Sequence, residues 1–204
     1  MNKLTCVLLG TAALVALSAQ AGPPGPDNFN VISGNVLENG KGIIGINMVA
    51  GNGNAQLNAG ALAVSVGQGV HSSLHLTQTV ELNGADRSGA AVSTISANAF
   101  GQASGLISIN QASGQGNAQI NGFSIGLGLG GGFVVNESQL AATVTGNAVD
   151  GDAQVPQGYR EARIEGEALG RASGLVQINQ LAGSGNATAN SFKLNISVSS
   201  PSNN

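Results

Sequence analysis

Gly105-Leu106-Ile107-Ser108-Ile109-Asn110-Gln111-Ala112-Ser113-Gly114-Gln115-Gly116-Asn117-Ala118-Gln119-Ile120-Asn121 decides how the chain folds, because the chain contains this stretch three times. The first copy runs from Gly42 to Asn58 and the third from Gly174 to Asn190, at steps of 63 and 69 residues, and neither needs a gap. Self-similarity of this kind marks a unit that cannot bury its apolar face alone and does so by stacking on its copies.

Within each copy the period is two. Ile44/Ile46, Ile107/Ile109 and Val176/Ile178 fall on one face, and Gly45, Ser108 and Gln177 fall on the other, which is a strand pattern. Gly51-Asn52-Gly53-Asn54, Gly114-Gln115-Gly116-Asn117 and Gly183-Ser184-Gly185-Asn186 interrupt it, and glycines two apart followed by Asn read as a reversal or corner. A second alternating run follows, Asn117-Gln119-Asn121 then Phe123-Ile125, matched by Phe192/Leu194 in the third copy. The first copy offers Leu62/Val64 there, two residues later. Upstream, Asn98 to Ser104 parallels Glu167 to Ser173, with Asn35 to Lys41 in the same slot.

The expectation is an all-β fold: a β-solenoid-like stack of three strand–turn–strand repeats with irregular linkers. Equivalent residues then lie one strand spacing apart, about 4.8 Å. Ile46, Ile109 and Ile178 form an aliphatic column. Asn47, Asn110 and Asn179, Asn54, Asn117 and Asn186, and Asn58, Asn121 and Asn190 form amide ladders in which each side chain bonds the next. These twelve residues are the predicted stacking and self-assembly set. A slip of one residue would carry the aliphatic column to the wrong face, so register is strongly specified.

Outward from the repeats, residues 1–21 read as a signal peptide. Lys3 precedes an apolar run through Leu17 too short to span a bilayer, and Ala19-Gln20-Ala21 gives the cleavage site. Residues 22–30 read as a flexible leader, because proline cannot donate to a ladder. Repeat 1 then spans 31–65, linker 1 66–97, repeat 2 98–126, linker 2 127–166, repeat 3 167–198 and the tail 199–204. In the linkers, Leu74 to Leu82, Phe133-Val134-Val135 and Leu140 to Val144 have strand-like composition, while Gly84 to Arg87 and Asp150-Gly151-Asp152 read as turns. Pro156 to Arg160 reads as an exposed loop with the single tyrosine, Tyr159.

Composition agrees with a ladder-packed chain. Charged residues are 8% and aromatics 3%, with 32 glycines and no tryptophan, against about 25% charged in ordinary globular domains. The single cysteine, Cys6, lies in the signal segment, so no disulfide staples the exported chain. The net charge is -3 with cations scattered, which leaves no basic stripe for nucleic acid.

Catalytic and ligand motifs are weak. Gly126 to Gly131 fits G-x-G-x-x-G, but the strand-like Phe133-Val134-Val135, with its β-branched valines, follows where a dinucleotide fold needs a helix. His71 and His75 on a strand stand about 13 Å apart, too far to share a metal. Asp150 and Asp152 lack a calcium-loop spacing. Glu161, Glu165 and Glu167 alternating with Arg160, Arg163 and Arg171 read as a solvated, aggregation-opposing patch. No Ser/His/Asp arrangement is present. The reading is therefore no enzyme, no cofactor, no metal and no small-molecule substrate.

The stretch Gly45 to Asn58, Gly-Ile-Asn-x-x-Ala-Gly-x-Gly-Asn-Ala-Gln-x-Asn, resembles the repeats of the Fap fibril subunits, secreted bacterial functional amyloids, and more distantly the curli subunits. Three repeats, two linkers and a signal peptide match the Fap layout. The Gln-Gln of the Fap pattern is here Ala55-Gln56, Ala118-Gln119 and Ala187-Thr188. The resemblance implies a secreted structural protein that self-assembles into cross-β fibres of a biofilm matrix, as subunit or nucleator. It also implies fibre co-subunits and an outer-membrane exporter as partners. The competing reading is a monomeric or fibre-tip β-solenoid adhesin that binds through its linkers.

Overall fold

The computed structural model describes residues 13–18, 27–66, 70–81, 89–129, 134–145 and 158–198. Among them are twelve strands and no helix: β1 (Ala13–Ser18), β2 (Asn28–Ile32), β3 (Lys41–Ala50), β4 (Ala55–Val66), β5 (Val70–Glu81), β6 (Ala91–Ile95), β7 (Ser104–Ser113), β8 (Ala118–Leu129), β9 (Val134–Thr145), β10 (Arg160–Ile164), β11 (Ser173–Ala182) and β12 (Ala187–Val198). Every pairing is parallel. Sheet I is β2-β6-β10, sheet II is β1-β3-β7-β11, sheet III is β4-β8-β12 and sheet IV is β5-β9. The chain visits the sheets in turn, so β2 to β5 make one layer, β6 to β9 a second and β10 to β12 a third.

Register follows the repeat. Ile46 pairs with Ile109 and Ile109 with Ile178, while Asn47, Asn110 and Asn179 lie in the next row. In sheet III, Asn58, Asn121 and Asn190 share a row. Successive strands of one layer belong to different sheets, so the glycine-rich segment between β7 and β8 is an arch rather than a hairpin. Gly114 has φ +120°, and a Cβ there would fall 2.1 Å from the Gly183 carbonyl oxygen of the next layer. No side chain fits between arches stacked this closely.

The apolar core lies between sheets I and II. Ile32, Ile95, Ile107, Ile109 and Phe100 are buried there, with Ile44, Ile46, Val176 and Ile178 packed against them. Phe100 belongs to the turn that joins sheet I to sheet II. The turns stack as the strands do, since Leu37 N donates to Ala99 O and Phe100 N to Ala168 O, both at 2.8 Å. Asn39, Gln102 and Arg171 share one left-handed position in it, with φ of 61°, 59° and 59°.

Order extends beyond the predicted units. Asn28, Phe29 and Asn30, read as the end of a flexible leader, form part of β2, held by Asp27 Oδ1 accepting from Ala90 N at 2.8 Å and by Asn30 Nδ2 donating to Ala112 O at 3.2 Å. The prolines of that leader, the Ala21 cleavage site, Gly84 to Arg87, Phe133, Asp150 to Asp152 and the 199–204 tail lie outside the described residues. Both segments read as linkers hold strands, β5 and β6 in the first and β9 and β10 in the second. Tyr159 is exposed at the mouth of β10.

One alignment changes. Phe123 pairs with Gly60, and Leu62 with Ile125, so the first copy runs without the two-residue offset its sequence suggested. A Cβ on Gly60 would lie 2.0 Å from Phe123 Cζ. The phenyl ring fills the space above a residue that has no side chain, and Gly60 is the phenylalanine-equivalent of the first layer.

Candidate functional site

The feature that stands out is the polar interior between sheets II and III. In β7 the odd positions Ile107, Ile109 and Gln111 face sheet I, and the even positions Ser108 and Asn110 face sheet III. Asn110, Asn117, Gln119 and Asn121 are all 0% exposed. Buried amides without partners would each cost about 1–3 kcal/mol. Here they bond in columns. Asn110 Nδ2 donates to Asn47 Oδ1 and Asn179 Nδ2 to Asn110 Oδ1, both at 3.0 Å. Asn121 Nδ2 donates to Asn58 Oδ1 at 3.1 Å and Asn190 Nδ2 to Asn121 Oδ1 at 2.9 Å. At the arch, Asn117 Nδ2 donates to Asn54 Oδ1 at 2.8 Å and Asn186 Nδ2 to Asn117 Oδ1 at 2.9 Å. The two larger columns are cross-linked inside each layer, since Asn58, Asn121 and Asn190 donate to Asn47, Asn110 and Asn179 at 2.9, 3.0 and 2.9 Å.

The structure places Ile46, Ile109 and Ile178 in one row of sheet II, with Ile109 fully buried, and the nine asparagines in three hydrogen-bonded columns. Sequence reasoning missed a second polar network, between sheets I and II. Gln111 Nε2 donates to Asn30 O and Thr94 O at 2.9 and 3.0 Å, and Gln180 Nε2 donates to Gln111 Oε1 at 2.9 Å. Ser93 and Ser113 bond each other at 3.0 Å. Its signal was available: Ile32, Ile95 and Ile164 recur at the same steps as the motif and pair in sheet I.

The residues weighed for chemistry do not converge. His75 lies on the exposed side of β5, with His71 four positions back on the same strand. Gly126 to Leu129 are the last residues of β8, so the glycine motif begins inside a strand. Arg163 pairs with both Glu161 and Glu165, and Tyr159 donates to Glu161, which makes the charged patch of β10 self-contained. Among the described residues no group of three metal-ligating side chains occurs. What the arrangement can do chemically is present ladders of identical donors and acceptors at the open edges of its sheets.

No solved structure matches the chain. The family model described as functional amyloid protein FapB/FapC family matches residues 13–197, from β1 to the end of sheet III. That match takes in all three layers, so the chain belongs to the functional amyloid protein FapB/FapC family, structural and extracellular proteins of biofilms rather than enzymes.

Proposed function

We propose that this chain is a secreted subunit or nucleator that stacks end to end, each molecule adding three layers of a β-solenoid to an extracellular cross-β fibre of the biofilm matrix. The observation that carries this reading is the in-register stack of like on like, with β2, β4, β10, β11 and β12 each left with an unpaired edge among the described residues. An uncapped stack of this kind recruits another copy. Ile46, Ile109 and Ile178 with the nine column asparagines form the stacking set. The signal segment is removed near Ala21, and the exported chain reaches the surface through an outer-membrane exporter and joins further fibre subunits.

The test uses the exported protein in dilute buffer. It gains thioflavin fluorescence and gives a fibre reflection at about 4.7–4.8 Å. A chain that stays monomeric for days refutes the reading. Deleting the segments after β5 and β9 separates it from an adhesin: fibres persist, whereas an adhesin loses surface binding.

A further inference from the structure

The two asparagine columns within sheets II and III have a direction. Asn110 Nδ2 lies 3.0 Å from the Leu57 carbonyl oxygen of the first layer, and Asn179 Nδ2 lies 3.0 Å from the Ile120 carbonyl oxygen of the second. A carbonyl only accepts, so each of these amides turns its nitrogen toward the preceding layer and its oxygen toward the following one. The same set repeats at both steps. Asn110 reaches Asn47 Oδ1, Leu57 O and Asn58 Oδ1, and Asn179 reaches Asn110 Oδ1, Ile120 O and Asn121 Oδ1. Two side-chain rows that donate the other way stop inside the molecule, while at the arch Asn54 and Asn117 Nδ2 also donate forward, to Gly114 O and Gly183 O. Gln56 donates to Gln119, and that row ends at Thr188; Ser108 donates to Gln177, and that row begins at Gly45.

The two ends of the molecule are therefore chemically different. The first layer presents the Asn47 amide nitrogen, whose partner among the described residues is Gln56 O at a marginal 3.5 Å. The third layer presents the three acceptors that would complete the pattern once more: Asn179 Oδ1, Ala189 O and Asn190 Oδ1. We infer that these ends are the two halves of a seam with a second copy of this chain, Asn47 of one molecule donating into the Asn179–Ala189–Asn190 acceptor set of the next, and that the fibre is consequently polar. The inference rests on the fibre reading above and adds its register and direction. A like-with-like contact would set donor against donor or acceptor against acceptor, so only the head-to-tail contact, which does not close on itself, satisfies both ends. The first-layer edge is also seen to take a parallel strand: β1 pairs with β3 there, Ala16 beside Asn47. Removal of the signal segment vacates that edge.

Asn47→Asp in the exported protein is the test. The introduced carboxylate keeps an oxygen for the Asn58 and Asn110 amides but sets its second oxygen against three acceptors at the seam. Asn52→Asp, on the exposed arch, supplies the same change in net charge. Seeded elongation of Asn47→Asp slows roughly tenfold or more, while Asn52→Asp elongates as the unsubstituted chain does. Lowering the pH below about 4, where the carboxyl regains a proton to donate, restores elongation relative to the unsubstituted chain at that pH. Because its third layer is intact, Asn47→Asp added in small amounts to growing seeds arrests one fibre end and leaves the other growing under the microscope. Elongation at the normal rate, or arrest of both ends alike, overturns the inference. Should circular dichroism show that Asn47→Asp has not folded, Asn47→Ala replaces it, with a few-fold slowing expected and none overturning the inference. Failure of the unsubstituted chain to form fibres at all refutes the fibre reading instead.

Discussion

Asn110→Ala and Asn47→Ala remove the same side chain from the same column, yet they should differ several-fold in cost. Asn110 is 0% exposed. Its amide nitrogen reaches three oxygens of the first layer at 3.0 Å, and its oxygen accepts from Asn121 and Asn179, again at 3.0 Å. Two amide hydrogens and two lone pairs make four bonds, each worth about 0.5–1.5 kcal/mol net. The expected loss is about 4 kcal/mol, within the tail reserved for buried networks. Asn47 is only partly buried and receives two bonds on its oxygen, while its nitrogen makes the single long contact with Gln56. Its truncation should cost about 1 kcal/mol. Guanidinium midpoints of freshly refolded protein, read by far-ultraviolet circular dichroism at low concentration, give the comparison. Values within about 1 kcal/mol of each other would show that the columns contribute little, and the reasoning would fail.

Gly60→Ala should destabilise by about 1–3 kcal/mol, the cost of overpacking, because its Cβ meets the Phe123 ring. Phe123→Leu in the same chain should recover part of that loss, and purely additive melting shifts would contradict the contact. Thr188 ends the Gln56–Gln119 row with a buried hydroxyl that has no partner among the described residues. Thr188→Val should raise the denaturation midpoint by about 1 kcal/mol, and a fall would mean that the hydroxyl is bonded in solution. Gly114→Ala should abolish folding of the arch, since both its φ and the Gly183 carbonyl oxygen forbid a side chain. An Asn52→Ala control one arch away should fold normally by circular dichroism.

Sheets II and III were legible because their residues repeat at one spacing and alternate in polarity. Ile107/Ile109 against Ser108/Asn110 assigns each face before any coordinate is known. What the pattern leaves open is whether glycines such as Gly114 and Gly116 close a hairpin or an arch, since both need positive φ. The arch prevails because identical strands pair with their copies rather than with their neighbours in sequence. Sheet I was hidden by length: five residues such as Ala91 to Ile95 give too few alternations to stand out. Sheet IV was hidden by spacing, for Val70 pairs with Val134, one residue beyond the 63-residue step that Asn47 and Asn110 obey. Phe123 misled the alignment of the first copy because its ring occupies its neighbour's place as well as its own.

The distribution of charge ties the columns to assembly. In the second layer, β6, β7, β8 and the turn from Ala97 to Ala103, which have third-layer neighbours, carry no charged residue, and Glu137 lies on β9, which pairs only with β5; Asp27, Glu38 and Lys41 lie in the first layer and Arg160 to Arg171 and Lys193 in the third. A layer enclosed on both sides cannot hold a charge without losing its hydration. The end layers of a monomer are enclosed on one side only, so charge there is tolerated, but in the proposed fibre they become interior too. Apart from Lys193, which stands within β12 beside Ser124, the charges meet that demand by their location. Glu38 and Arg171 sit in the stacked turns, Lys41 at the first position of β3, and Arg163 in an exposed patch with its own carboxylates, all outside the rows of Ile46 and Asn47. Moving one of them into a row, as in Ile46→Lys, should therefore leave a monomer that loses about 1–2 kcal/mol at a half-exposed position but does not elongate seeds. If Ile46→Lys fibres grow at the normal rate, the rows are not what joins one molecule to the next.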